Sequence, residues 1–113
     1  MSRRRSAGLA GAAPVFAALG DETRLRLVAR LCAEGPLSIV HLSARAPVTR
    51  QAVTKHLHAL AAAGLVRSKR RGRQRQRIWE LEPWRLQEAR RYLDRISEQW
   101  DDALGRLQAF VEK

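Results

Sequence analysis

The chain has 113 residues, one domain's worth, and carries 22 Lys and Arg against 11 Asp and Glu, a formal net charge of +11. Hydrophobic residues make up 45%, enough for a small core and too many for a disordered basic tail. One cysteine, Cys32, excludes an internal disulfide and a multi-thiolate zinc site within one chain, and no apolar run approaches the roughly 18 residues that span a bilayer.

In chain order, residues 1–13 are small, low in complexity and basic (Arg3, Arg4, Arg5), and read as a disordered arm. They resemble a signal peptide only superficially, because the Ala/Gly stretch runs into a helix start with no clear cleavage context. Residues 14–113 read as a single domain. A short apolar helix is expected over residues 14–19, with Pro14 in its first turn and Gly20 ending it. Asp21 is a good N-cap for a second helix, with Glu22 at its positive end. That helix sets Leu25, Val28, Leu31 and Cys32 three and four apart on one face, which makes Cys32 a buried core thiol rather than a redox sensor. Gly35-Pro36 stops it.

Ser38 caps a third, short helix ending near Ala46, and Pro47 pushes Ala46 out of helical geometry. Thr49 caps a fourth helix over residues 50–63, which Gly64 ends. Two short helices joined by so tight a break fit a helix-turn-helix. From Leu65 the period changes to two: Leu65-Val66 and Ile78-Trp79 flank a turn near Arg71-Gly72-Arg73, a β-hairpin. Pro83 opens a long final helix, and residues 82–113 form a segment of their own. The predicted class is therefore mainly α with one hairpin.

Charge is not spread evenly over these elements. Residues 83–113 hold six basic and six acidic side chains, so the whole excess of +11 lies in residues 1–82. An excess of that size draws polyanions, and nucleic acid is the commonest. On a helical wheel of residues 50–63, Val53, Leu57 and Leu60 cluster on one side, and Gln51, Thr54, Lys55 and His58 on the other. The second set can hydrogen-bond base edges and phosphates, and an α-helix fits the major groove. Thr49 and Arg50 stand at the helix start, where free backbone N–H groups favour a phosphate. An ordinary solvated face has the same composition. His56, at the edge of the inner side, reads either as a packing residue or as a phosphate contact.

Residues 67–77 hold seven cations, Arg67, Lys69, Arg70, Arg71, Arg73, Arg75 and Arg77, and no acid. Their mutual repulsion is relieved by phosphates. Strand alternation would project Arg73, Arg75 and Arg77 together, with an arginine at the tip suited to a minor groove. In the last helix Leu86, Leu93, Trp100 and Leu107 recur every seven residues, and Ala89, Ile96, Ala103 and Phe110 follow three behind. This a/d seam belongs to a helix of roughly 40 Å, longer than so small a domain covers alone. Part of it is expected to pack on residues 14–34 and part on a second copy of the chain. Twofold symmetry would then set two recognition helices on a near-palindromic site with half-sites about 10 bp apart, or a multiple of that.

Two stretches carry a family resemblance. Ala18-Leu19-Gly20-Asp21-Glu22-Thr23-Arg24-Leu25-Arg26-Leu27 resembles the opening signature of ArsR/SmtB-type winged helix-turn-helix regulators, and Thr49-Arg50-Gln51-Ala52-Val53-Thr54-Lys55-His56-Leu57 resembles their recognition helix. Ala63-Gly64-Leu65-Val66 and the Arg-Gly-Arg hairpin complete the similarity, which spans residues 14–111. The resemblance implies a winged helix-turn-helix with a C-terminal dimerisation helix, and a homodimeric bacterial repressor that is cytoplasmic and nucleoid-associated. It implies double-stranded DNA as partner. Base contacts fall to Gln51, Thr54, Lys55 and His58, and phosphate contacts to Thr49, Arg50, Lys69, Arg70, Arg71, Arg73 and Arg75. Many members release DNA on binding a metal. Their thiolate positions are Ser38 and Val40 here, with His41 at the aspartate position, and the last helix has no histidine. The similarity is therefore to the metal-independent branch: no metal or cofactor is expected, and any effector is unidentified. A nonspecific architectural DNA- or RNA-binding module is the competing reading, although aromatic residues for stacking single strands are few. An enzyme fits poorly, with three histidines and no convergent catalytic set.

Overall fold

A computed structural model of the chain describes residues 9–73 and 75–112. Most of the expected basic arm, residues 1–8, lies outside the described residues. The elements run α1 (Leu9–Leu19), α2 (Glu22–Glu34), β1 (Leu37–Ser38), α3 (Ile39–Ala44), α4 (Arg50–Ala62), β2 (Val66–Arg71), β3 (Gln76–Leu81) and α5 (Pro83–Val111).

The first helix begins earlier than its sequence pattern suggests, at Leu9, so residues 9–13 are helical rather than part of an arm and Pro14 lies inside the helix. Ala12, Val15 and Ala18 form its buried stripe. Three helices start on side-chain caps where the sequence places them. The Asp21 carboxylate accepts from the Arg24 N–H, the Ser38 hydroxyl from His41 N–H, and the Thr49 hydroxyl from Ala52 N–H. Asp21 titrates below the usual aspartate range because it accepts that backbone bond, with the charge of His56 adding to the effect. The α2 helix ends at Gly35 with φ +82°, and α4 is followed by Gly64 with φ +79°, both left-handed conformations that favour glycine.

The α2 face is turned relative to expectation. Leu27, Val28 and Leu31 are buried, whereas Leu25 is half exposed and Cys32 is exposed. Cys32 is therefore not a core thiol. The three- and four-residue spacing fits either stripe, and the one that joins the core cluster is Leu27 with Val28 and Leu31. The core gathers Leu42, Val53, Leu57, Leu60 and Leu65, all fully buried, with Trp79 against them.

The hairpin pairs β2 with β3 antiparallel, and β1 joins the far edge of β3, giving the order β1-β3-β2. The two-residue β1 pairs Leu37 with Trp79 and Ser38 with Ile78. It leaves no periodic signal, so the sequence shows a hairpin where the molecule has a three-stranded sheet. The backbone N–H of Glu82 donates to the Leu65 carbonyl at 2.8 Å and closes the base of the hairpin. Pro83 occupies the first turn of α5, where its missing N–H costs nothing. Leu86 and Ala89 pack into the core, and Tyr92 meets Phe16 of α1 with ring centroids 6.1 Å apart.

Candidate nucleic-acid interface

The helix-turn-helix consists of α3, the break at residues 45–49, and α4. Two contacts fix α3 beyond its cap. The Arg30 guanidinium donates to the carbonyls of His41 and Leu42 at 3.1 and 3.3 Å, closing the C-terminal end of α3 from α2. The same guanidinium binds Glu34, which holds that carboxylate below the usual range. Ser38 Oγ lies 2.8 Å from His41 Nδ1, so the exposed His41 has a partner that its sequence context does not suggest.

On α4 the inward set Val53, Leu57 and Leu60 is fully buried. Arg50, Gln51, Lys55 and His58 are exposed on the outside, and Thr54 is half-buried with its hydroxyl donating to the Arg50 carbonyl at 2.9 Å. The Thr54 hydroxyl is thus already engaged by its own helix, while its oxygen lone pairs stay open to a donor. His58 plays a second part. Its ring stands edge-on to buried Trp79, with centroids 5.7 Å apart and planes at 85°. The outer face of the helix is thereby packed against the root of the hairpin. His56 lies 3.8 Å from the Asp21 carboxylate, a packing and charge partner for the α2 cap.

The hairpin sorts its seven cations. Arg67 binds Glu80 at 3.0 Å and Glu82 at 3.1 Å, and Lys69 binds Glu80 at 3.0 Å. These two neutralise acids across the sheet instead of facing solvent alone. Glu80 sits well placed for it: the Lys69 ammonium first, and the Arg67 guanidinium after it, hold its carboxyl below the usual range. Arg70 stands opposite Arg77, a like-charge pairing, and each turns away to a different acceptor. Arg70 donates to the Arg75 carbonyl at 3.2 Å. Arg77 donates to Ser68 Oγ at 2.8 Å and lies 6.0 Å above the Trp79 ring.

Arg73, Arg75 and Arg77 do not project together. Strand β3 begins at Gln76, and Arg75 sits in the turn with φ +52°, so alternation does not reach the tip. Arg71, Arg73 and Arg75 are exposed, and their guanidinium groups have no hydrogen bond or ion pair among the described residues. The wing tip is therefore a cluster of three arginines without an acidic partner among the described residues, mounted on a base where Glu80 and Glu82 answer Arg67 and Lys69 while Arg70 and Arg77 reach only neutral acceptors. The sequence carries a signal for this division that a count of cations misses: once the register is fixed, Arg67 stands opposite Glu80, Lys69 lies diagonal to it, and Glu82 follows the end of β3.

The heptad series on α5 splits in two. Leu86 and Ala89 are inside, and Ala103 is half-buried. Leu93, Ile96, Trp100, Leu107 and Phe110 are all exposed, Trp100 at 63% and Phe110 at 75%. Leu104 and Val111 are exposed beside them and belong to neither series, so the apolar stripe is broader than the seam that the sevenfold spacing marks.

Comparison with known proteins agrees with this geometry. Residues 19–69 match the family described as a helix-turn-helix domain. The HTH-type transcriptional regulator Rv2034 of Mycobacterium tuberculosis is 41% identical over 87 residues, covering 77% of this chain and 76% of that protein. An ArsR-like transcriptional regulator from Rhodococcus sp. RHA1 superposes with a TM-score of 0.74 at 40% identity, over 89% of this chain and 92% of that one. A homodimeric winged helix-turn-helix DNA-binding domain from Mycobacterium bovis shares the fold, with a TM-score of 0.61 at 23% identity over 94% and 93% of the two chains. A capped α3–α4 pair, a wing closed against it by Trp79 and relatives matched over most of their length leave one conclusion: the chain belongs to the ArsR family of winged helix-turn-helix transcriptional regulators.

Proposed function

We propose that the protein works as a homodimeric repressor that occupies a near-palindromic operator and autoregulates its own promoter. The observation that carries this reading is the apolar stripe of α5, exposed from Leu93 to Phe110 on a domain whose other large apolar residues are mostly buried. A second copy of the same stripe is its natural cover, and the M. bovis neighbour is a homodimer. Two α4 helices and two arginine wing tips then meet one face of a duplex, with Gln51, Lys55, His58 and Thr54 toward base edges and Thr49, Arg50, Arg70, Arg71, Arg73 and Arg75 toward phosphates. Lys69 serves mainly as an anchor for the wing, through Glu80. Occupying a promoter in this way would exclude other proteins from the same grooves, which is the route to repression in this reading.

The test is selection of bound fragments from the source genome, followed by the Gln51→Ala variant on the selected site. The expected result is a peak upstream of the protein's own gene and a relaxed preference at one position in each half-site. Each lost bidentate contact is worth about 1–3 kcal/mol of discrimination. Unchanged sequence preference would remove Gln51 as a reader. Equal binding to random duplex or RNA would favour a nonspecific architectural module instead.

A further inference from the structure

We propose that the groove between α2 and the helix-turn-helix break is an effector site for a small amphipathic carboxylate. The groove has a volume of about 300 Å³, at the lower end of what small-molecule sites occupy. Its floor is the buried pair Leu27 and Leu42, and its walls are Ala29, Ala46 and Pro47. Three arginines, Arg26, Arg30 and Arg45, line it as well.

These three are not equivalent. Arg26 is bound to Glu22 at 2.7 Å, and Arg30 to Glu34 and the end of α3. The Arg45 guanidinium has no hydrogen bond or close ion pair among the described residues, only a longer-range pull on the Glu34 carboxylate, and Arg45 stands at the C-cap of α3 beside an apolar hollow. A ligand with an alkyl body and one carboxylate satisfies both halves: the body covers Leu27 and Leu42, and the carboxylate meets Arg45 bidentately. A DNA phosphate satisfies only the arginine, because it gains nothing from five apolar side chains.

The location gives binding a consequence, and this part rests on the DNA-binding reading above. The groove is walled on one side by α2 and on the other by Ala46 and Pro47, and α4 starts three residues after Pro47. An occupant that fits one α2–α3 spacing better than another biases the angle at which α4 is presented. A ligand shifts such an equilibrium only by its differential affinity, typically fivefold or more when sites are coupled.

Octanoate is the probe, titrated into the full-length protein and followed by amide chemical shifts without DNA. The expected result is saturable shifts centred on Thr23, Ala29 and Ala46, at least tenfold weaker affinity for 1-octanol, and loss of the octanoate response in Arg45→Glu. Ala29→Phe, a change at an exposed helix position that fills the groove, is expected to abolish binding while leaving the fold intact. Absence of saturable shifts, equal affinity for octanol, or an unaltered response in Arg45→Glu overturns the site. Weakened operator binding by Arg45→Glu, with no octanoate response in the parent chain, would make the groove a DNA contact and equally overturn it. In a separate operator assay, saturating octanoate is expected to change affinity at least fivefold, and an unchanged affinity overturns the regulatory role while the DNA-free titration still reports on the site itself.

Discussion

At the wing, two kinds of arginine and lysine predict two kinds of phenotype. Arg73 has no partner among the described residues, so Arg73→Ala is expected to weaken binding to every duplex alike and to lower the salt slope of log K by about one unit. Lys69→Ala removes a cation that is already answered by Glu80, so the slope should change less, and wing order should suffer more. Binding measured across a salt series separates the two. The same ion pairs set a pH dependence. Because Glu80 titrates below the ordinary glutamate value in the folded chain, its contribution to stability is complete above that ordinary value and is lost as pH falls through the lowered folded value. Acid is therefore expected to loosen the wing from below the usual glutamate range. In Glu80→Gln this acid-dependent loss should vanish, as read by amide exchange of the β2–β3 ladder across pH.

The elements show why some of this architecture is legible in sequence and some is not. Caps and breakers act locally, and Asp21, Ser38, Thr49, Gly35 and Gly64 stand where their chemistry demands. The inward face of α4 is equally plain, since Val53, Leu57 and Leu60 allow only one stripe. The extension of α1 back to Leu9 is not legible, because Ala and Gly carry no period and Pro14 argues against it. Neither is β1, whose two residues acquire meaning only from β3, nor the choice between Leu25 and Leu27, which packing decides. The outward side of α4, with Gln51, Lys55 and His58 exposed, is legible from the wheel, but the ion pairs of Arg67 and Lys69 with Glu80 emerge only with the strand register. Gly64 offers a test of how tightly these elements meet. It has φ +79°, and a Cβ there would lie 2.8 Å from Arg85 Nε and 3.2 Å from its Cγ. Gly64→Ala should lose about 1–2 kcal/mol from the left-handed backbone alone, and more from displacing Arg85 and its bond to buried Glu88. Gly72→Ala has φ +80° but open space, so it is the control that carries strain without the clash. Urea unfolding of the two variants is expected to show Gly64→Ala as clearly the less stable.

On the scale of the whole molecule, shape and charge are divided along the chain. The longest dimension is 69 Å, and α5 with 29 residues accounts for roughly 43 Å of helix, of which α1 and the core cover only the beginning. Beyond Tyr92 the helix offers Leu93, Ile96, Trp100, Leu107 and Phe110, widened by Leu104 and Val111, with equal numbers of acids and bases over residues 83–113. The zero net charge of residues 83–113 would let two such stripes meet without net repulsion, while the excess of +11 stays in residues 1–82, where DNA would lie. If the stripe is a dimer seam, Trp100→Glu places a charge opposite its own copy at the twofold seam, and sedimentation should report a monomer at concentrations where the parent is a dimer. Trp100 is exposed within one chain, so the substitution removes no intrachain core contact, and the thermal unfolding of the monomeric unit should survive. Operator affinity should then fall by far more than one lost contact explains, because the two half-sites no longer share one binding event. Affinity for an isolated half-site should stay nearly unchanged. An intact dimer in Trp100→Glu, or equal losses on full and half sites, would show that the stripe serves some other contact.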